Sequence, residues 1–559
     1  MFILILNYLT GPELVPALAL VGALFLAWFF PRLGETVFSR IERFGTCLAR
    51  KKALAIVALA FFPILVRLSL LPLFPVPVPR IHDEFSYLLA ADTFAAHRLT
   101  NPPHPMWVFL DTIHVNQHPT YMSKYPPAQG AILALGQAIG SPWIGVLLSV
   151  GIMSGAVLWM LQGWMPPSWA LLGGVLVVLR VTIFSYWMNS YWGGAVPAIG
   201  GALVVGSLPR LTRSPKIQYA TIMGIGVATL MNSRPFEGLI LCVPAAIFLA
   251  IWIFSKRSPS LSITVPCLVF PLCIIVILSF GFMAYYNWRG TGNILTMPYM
   301  LNEQAYWSTP TLLWQKLKLP IHFSNPQFEA FYNGWARELW LQSNSWGLRS
   351  IASHALSVVA KFVYFFLWPE LCVLVVVFGW VLRDRRVRFL MIEAGFCFVS
   401  FLSVAWFQPQ YAAGVLATIF GLVTQAMRHF RRWEFKGKLV GIGLTRVVLT
   451  FAVILAPFHP HSATLNRSAT SGIDCRAVIG RQLDSTPGSH LVIVRYSPQH
   501  SPLAEWVYNR ADIDHAKVVW AREIPGLSLR PVLDYFAGRQ IWLVEADSAS
   551  PHLIPYAGK

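Results

Sequence analysis

Residues 53–87 read ALAIVALAFFPILVRLSLLPLFPVPVPRIHDEFSY. The run 53–75 is apolar apart from Arg67 and Ser69. As a helix rising about 1.5 Å per residue it is long enough to cross the ~30 Å hydrocarbon layer of a bilayer. Prolines at 75, 77 and 79 stop the run, and Arg80-Ile-His82-Asp83-Glu84 follows at once. Two adjacent carboxylates at the lip of a membrane helix are costly unless they are solvated or used.

The rest of the chain repeats the pattern. It has 559 residues, 56% of them hydrophobic and 12% charged, with a mean hydropathy of +0.56. Soluble domains carry about 25% charged residues, so an ordinary cytosolic enzyme, a disordered chain and a coiled coil are excluded. The net charge of +19 does not point to nucleic acid, because the basic residues lie in short clusters between apolar runs. Such runs occupy 14–30, 53–75, 143–162, 169–186, 194–209, 218–231, 238–254, 262–285, 356–381, 389–407, 411–427 and 439–457. This is a mainly α, polytopic membrane protein with about twelve expected crossings.

Numbering the gaps alternately separates the charges. One set holds Arg32–Lys52, Arg210–Lys216, Lys256–Arg257, Arg383–Arg388 and Arg428–Lys438, while the short gaps of the other set hold only Arg234. By the positive-inside rule the basic gaps face the cytoplasm and both termini face outward, in an inner (plasma) membrane. No Lys or Arg precedes the run 14–30, so it reads as a retained helix rather than a signal peptide. Three outward parts follow: 76–142, 286–355 and a tail from 458. In the tail His490–Tyr496 and Gln540–Glu545 read as strands, with Ser501–Arg510 and Leu529–Phe536 as candidate helices. The expected organisation is 1–52 as an extra helix plus basic loop, 53–457 as the membrane domain, and 458–559 as a small extracytoplasmic α/β domain. Of seven Cys only Cys475 faces outward, so no intramolecular disulfide joins the outward parts.

Chemistry-bearing residues concentrate in 76–142. After Asp83 and Glu84, residues 84–98 read as an amphipathic helix whose Phe85, Leu88, Leu89, Ala91, Phe94 and Ala95 would rest on the membrane surface. Asp83 and Glu84 also suit the N-terminus of that helix as capping residues, and the two roles can coexist. The segment closes with His118-Pro-Thr-Tyr-Met-Ser-Lys124-Tyr125-Pro126-Pro127. Lys124 can snorkel to headgroups, and Arg234, in Asn232-Ser-Arg234-Pro-Phe-Glu237, can pair with Glu237.

This arrangement resembles the GT-C glycosyltransferases, and most nearly glycosyltransferase family 39, the protein O-mannosyltransferases and bacterial aminoarabinose transferases. The likeness rests on Asp83-Glu84 in the first outer loop and on Lys124-Tyr125-Pro126-Pro127 at its close, and it covers roughly 53–457. It implies a hexosyl- or pentosyltransferase that moves a sugar from a polyprenyl-phosphate donor to an acceptor hydroxyl on a protein, lipid or glycan, with inversion. It also implies Asp83 as the base, with Glu84 orienting acceptor or backbone. Lys124 and Arg234 would hold the departing phosphate. Many relatives carry a further acid on the next outer loop; here that loop, Met188–Gly194, has none, and Glu237 is the available substitute. Tyr87, Tyr125, His118, Tyr299 and Tyr306 are candidate substrate contacts, although most aromatic residues of 286–355 suit an interfacial belt. Five of the fourteen His lie in 76–142, so a divalent metal near His82 is an option without diagnostic spacing; no other cofactor is expected. Arg67 and Arg180 are candidates to face a donor cavity, whereas Lys361 and Arg446 suit snorkelling. A transporter or lipid flippase is the alternative, but the two-halved symmetry of broken helices that it would show is missing from this sequence. A scaffold whose tail does the work is a third.

Overall fold

The computed structural model describes residues 14–256, 258–343, 348–367, 369–458 and 471–556. Residues 1–13 of the expected N-terminal unit, the junction after 458, Arg257 and Trp346 lie outside them. The chain is an integral membrane protein: a layer of apolar helices carries a small sheet domain at its C-terminal end. Among the described residues, seven helices are long and apolar enough to cross a bilayer: Lys52–Ser69, Pro142–Trp164, Ala195–Arg213, Pro235–Ile253, Leu261–Thr291, Pro409–Arg431 and Val440–Phe458. Arg349–Phe366 and Glu370–Arg383, bent by 113°, make an eighth if taken as one span. Pro16–Phe29, Pro167–Val181 and Ile217–Met231 are apolar but shorter. The twelve expected crossings therefore all hold helices, several too short to span alone. The run 169–186, for example, leaves helical geometry at Val181, and turns carrying the buried Trp187 and Met188 follow.

Small residues set the packing at the centre of the layer. Gly201, on Ala195–Arg213, lies so close to Gly414 that a Cβ there would stand 1.8 Å from its carbonyl oxygen. At the rim the helix Leu261–Thr291 instead turns Phe270, Ile277, Leu278 and Phe280 outward, as lipid contact requires. The long segments and the sheet domain share one side of the layer, the loop face; the arginine clusters occupy the opposite, basic face. There Glu35–Arg50 forms a helix held by Arg446, which pairs with Glu35 at 2.8 Å and Glu42 at 3.5 Å.

On the loop face, His82–Ala95 packs along Pro127–Ala138, with Gly130 seated against Ala90. A short hairpin, β1 (Val115–Asn116) and β2 (Met122–Ser123), lies beneath it. The C-terminal sheet has β3 (His490–Arg495), β4 (Val518–Arg522), β5 (Gln540–Glu545) and β6 (Ile554–Pro555) in the order β4-β3-β5-β6, parallel except for β6. One face packs on Ile479 and Leu483 of the helix Ser471–Ser485. Through its other face, Leu491, Ile493, Val519 and Ala521 share a hydrophobic core with Leu89, Phe109, Leu110, Val115 and Tyr121 of the first segment.

This packing corrects two expectations. The helix His82–Ala95 does not lie on the membrane surface: Phe85, Leu89 and Ala91 are buried inside the protein. Ser501–Arg510 is irregular, because its backbone serves the docking contacts described below. The helix Ser471–Ser485 and strand β4 were not anticipated. Both buried arginines have partners inside the protein. Arg67 spends its guanidinium on Asn189 Oδ1 and the carbonyls of Phe74 and Pro75. Arg180 donates to the carbonyls of Phe365 and Tyr364 and pairs with Glu370 at 3.5 Å. Lys361 Nζ donates to the Phe407 carbonyl at 3.2 Å.

Candidate active site

Asp83 and Glu84 are neighbours in sequence but turn to different sides of the helix start, as the ~100° step of an α-helix requires. Glu84 is 3% exposed. Its Oε2 accepts the backbone N–H groups of Arg80 (2.7 Å) and Ile81 (3.2 Å), and its Oε1 that of Tyr191 (2.9 Å). It therefore caps the helix and ties it to the loop 185–194. Burial pushes its carboxyl up to about 7 against those three donors.

Asp83 remains about a quarter open, with 27% of its side chain exposed. Oδ1 accepts a short hydrogen bond from the Tyr125 hydroxyl. Oδ2 lies 4.0 Å from His114 Nε2. Burial lowers the His114 imidazole well below its ordinary range, so it stands neutral beside the carboxylate. His114 has a φ of 67°, a left-handed conformation uncommon outside glycine, and its carbonyl accepts both Ser86 Oγ and the Lys124 N–H.

Cationic and aromatic groups complete the arrangement. The Lys124 ammonium sits over Trp307 (5.1 Å) and Tyr125 (5.3 Å) and feels the charges of Asp83, Glu303 and Arg234. Burial lowers its amine to about 8. Tyr125 stacks on Tyr87 at 4.4 Å. Arg234 covers the Tyr411 ring at 4.6 Å and stands 3.9 Å from Glu237, with both side chains mostly buried. Tyr299, on the helix Pro298–Tyr306, senses both Glu303 and Glu237.

Asp83, Tyr87, Lys124, Tyr125, Arg234, Glu237 and Tyr299 thus converge, while His118, Tyr306 and His82 do not join them. His118 is exposed, edge-on to Trp107 at 4.9 Å. Tyr306 reaches Asp111 at 3.3 Å and belongs with Phe328, Phe331 and Tyr332 to a buried aromatic cluster. It sits at the end of the helix Pro298–Tyr306. Neither His114, Trp307, Glu303 nor Tyr411 was named as a site residue, although His114 is one of the five His in 76–142 and Tyr411 opens the run 411–427 just past a short outer gap.

His82 is a docking residue. Its Nε2 donates to the Pro502 carbonyl at 2.8 Å, which leaves Nδ1 to accept from the Tyr508 hydroxyl. Burial lowers its imidazole, in keeping with a neutral ring. Phe85 stacks on Tyr508 at 3.9 Å and 3°, and Arg476 lies over Phe85 at 4.8 Å. Arg522 Nη1 donates to the Asp111 carbonyl at 2.9 Å while its Nη2 pairs with Glu505. Although burial opposes it, Arg522 keeps the Glu505 carboxyl below its ordinary range. Arg510 joins Asp92 at 2.5 Å. With both His82 nitrogens engaged, the expected metal near His82 has no ligand there, and among the described residues no group of three or more His, Cys, Asp or Glu is placed to hold one.

No family model and no curated protein matches the chain. Among solved structures it is similar to ArnT from Cupriavidus metallidurans bound to undecaprenyl phosphate, at 12% identity and a TM-score of 0.42, over 87% of this chain and 92% of that one. It is also similar to an Archaeoglobus fulgidus oligosaccharyltransferase in complex with Zn and sulfate, at 12% identity and a TM-score of 0.47, over 88% and 67%. A third is AglB from Archaeoglobus fulgidus in complex with an inhibitory peptide and a dolichol-phosphate, at 12% identity and a TM-score of 0.42, over 88% and 69%.

Proposed function

We propose that the chain is a GT-C-type glycosyltransferase that transfers a sugar from a polyprenyl-phosphate donor to an acceptor hydroxyl, with inversion, at the loop face. In this reading that face is extracytoplasmic, because the opposite face holds the arginine clusters, and both termini lie on the same outward side. One observation carries it: a partly open carboxylate, Asp83, held by Tyr125 within the electrostatic reach of Lys124, which also senses Arg234.

The acceptor hydroxyl gives its proton to Asp83 as its oxygen attacks the anomeric carbon. The bond from that carbon to the phosphate oxygen breaks, and the lipid phosphate leaves carrying an added negative charge. Lys124 and Arg234 meet that charge, which is greatest in the transition state and product, so their attraction favours the reaction over the bound donor. Tyr125 holds Asp83 in place, with neutral His114 standing 4.0 Å from it, and Glu84 fixes the helix start that carries it. The stacked Tyr87–Tyr125 pair and Tyr299 offer aromatic surface to a sugar or an isoprenoid stem. Hexosyl and pentosyl donors both fit this chemistry.

The test is turnover by the purified full-length protein of a panel of polyprenyl-phosphate sugars, read as release of free polyprenyl phosphate and transfer of labelled sugar to cell-envelope acceptors. Time-dependent release that requires Lys124 and Arg234 is expected. No release from any donor, by a protein that is folded, would overturn the reading.

A further inference from the structure

The basic face contains a cleft that the transfer reaction does not use. It has a volume of about 460 Å³ and opens between the C-terminal end of the helix Pro409–Arg431 and the start of Val440–Phe458. Arg428, Arg431 and Arg432 line one part of it; Trp169, Leu439 and Ile442 line the rest.

The arginines are unequally compensated. Arg431 is neutralised by Glu42 at 2.9 Å. Arg428 is only 9% exposed, yet its single hydrogen bond among the described residues runs from Nη1 to Gln425 Oε1 at 2.7 Å. The charges around it are Arg432 and Arg386, which repel, and Asp384. Asp384 is already committed to the Arg386 N–H, to Gln425 and to His429 at 3.2 Å. Glu434, the remaining acid of the lining, is exposed. The remaining N–H groups of Arg428 open on the cleft, where the like charges beside them favour an anion.

The surroundings set the depth of the cleft. Trp433, beside it, contacts Trp28 at 5.4 Å and Trp380 at 6.3 Å, the aromatic composition of a membrane–water interface. The helix Glu35–Arg50, which supplies Glu42, leaves Val37, Ile41 and Phe44 exposed at 59, 60 and 74%, the uncovered apolar side of a helix lying in the interface.

We propose that this cleft is a binding site for a phosphate-bearing anion. Its apolar lining and interfacial depth point to the headgroup of an anionic phospholipid in the leaflet on the basic face. Arg428 and Arg432 would grip the phosphodiester while Leu439 and Ile442 contact the glycerol and upper acyl region. Basic pockets between helices on the cytoplasmic side take such headgroups. The inference stands apart from the transferase reading and does not depend on it.

The experiment is equilibrium binding of labelled phosphatidylglycerol to the purified full-length protein in a non-ionic detergent. Phosphatidylcholine and inorganic phosphate serve as competitors. A saturable site is expected that phosphatidylcholine does not displace and that weakens about fivefold or more for each of Arg428→Gln and Arg432→Gln. Displacement by millimolar inorganic phosphate would keep the anion site and assign it to a soluble phosphate. Should Arg428→Gln fail to fold, Arg432→Gln, which alters an exposed side chain, carries the test alone. Equal binding of phosphatidylcholine, or affinities unchanged in both variants, would overturn the proposal.

Discussion

Asp83→Asn separates the proposed chemistry from the architecture around it. Asparagine keeps the size of the side chain and an oxygen to accept the Tyr125 hydroxyl, so the fold loses little. A hydrogen bond to a charged group contributes about 1.5–3 kcal/mol and a neutral one about 0.5–1.5, and Asp83 is not fully desolvated, with 27% of its side chain exposed. The expected stability change is therefore about 1 kcal/mol, below the level that unfolds a domain. The rate should respond very differently. A positioned general base accounts for about 10²–10⁴ in rate, which is about 2.7–5.5 kcal/mol of barrier. Lys124 and Arg234 are untouched by the substitution, so donor affinity should stay within a few-fold. The assay is sugar transfer under saturating donor, run beside a direct measurement of donor binding and a melting curve. A turnover within about threefold of the wild type, with binding and melting unchanged, would refute Asp83 as the base; the same geometry would then direct attention to His114, 4.0 Å away.

Three further outcomes are expected from the same structure. Because burial lowers the Lys124 amine to about 8, the free enzyme loses that charge as pH rises past 8. The ratio kcat/KM should fall there, and Lys124→Arg should remove the fall; a flat profile from pH 7 to 9.5 in the wild type would contradict the phosphate-holding role. Tyr508→Phe keeps the stack on Phe85 but leaves buried His82 Nδ1 without its donor, a loss of about 1–3 kcal/mol. It should lower the melting temperature and expose the C-terminal domain to protease, whereas an unchanged melt and digestion pattern would deny that the domain is docked through this contact. Gly201→Ala would bring a methyl to 1.8 Å from the Gly414 carbonyl oxygen, so the helices must separate at an overpacking cost of about 1–3 kcal/mol or more. An unaltered melting temperature would show that this approach is not tight.

What could be read from the chain and what could not divides along the length of the contacts. Lys124-Tyr125 stood out only through the resemblance carried by Lys124-Tyr125-Pro126-Pro127, whereas Asp83 was legible as a candidate because a proline-ended apolar run fixes where the chain leaves the membrane. His82 was not, since its partner Tyr508 lies 426 residues away; a histidine among carboxylates suggests a metal ligand as readily as a docking contact. The apolar stripe on His82–Ala95 shows that something apolar covers it. It does not distinguish lipid from the sheet face of Leu491 and Ile493. The partners of Arg67 and Arg180 were illegible for a related reason: they are mostly backbone carbonyls, which every residue possesses and no pattern announces. Capping and catalysis, the two uses that suited Asp83-Glu84, need not compete. Consecutive residues at a helix start diverge by about 100°, so one carboxylate can be enclosed by backbone N–H groups while its neighbour stays open. Glu84 has three such donors and Asp83 has a tyrosine hydroxyl and partial exposure. Exchanging the order of the two residues would put the longer side chain in the site and leave the shorter one to span the cap, so the dipeptide is directional in a way that its composition is not.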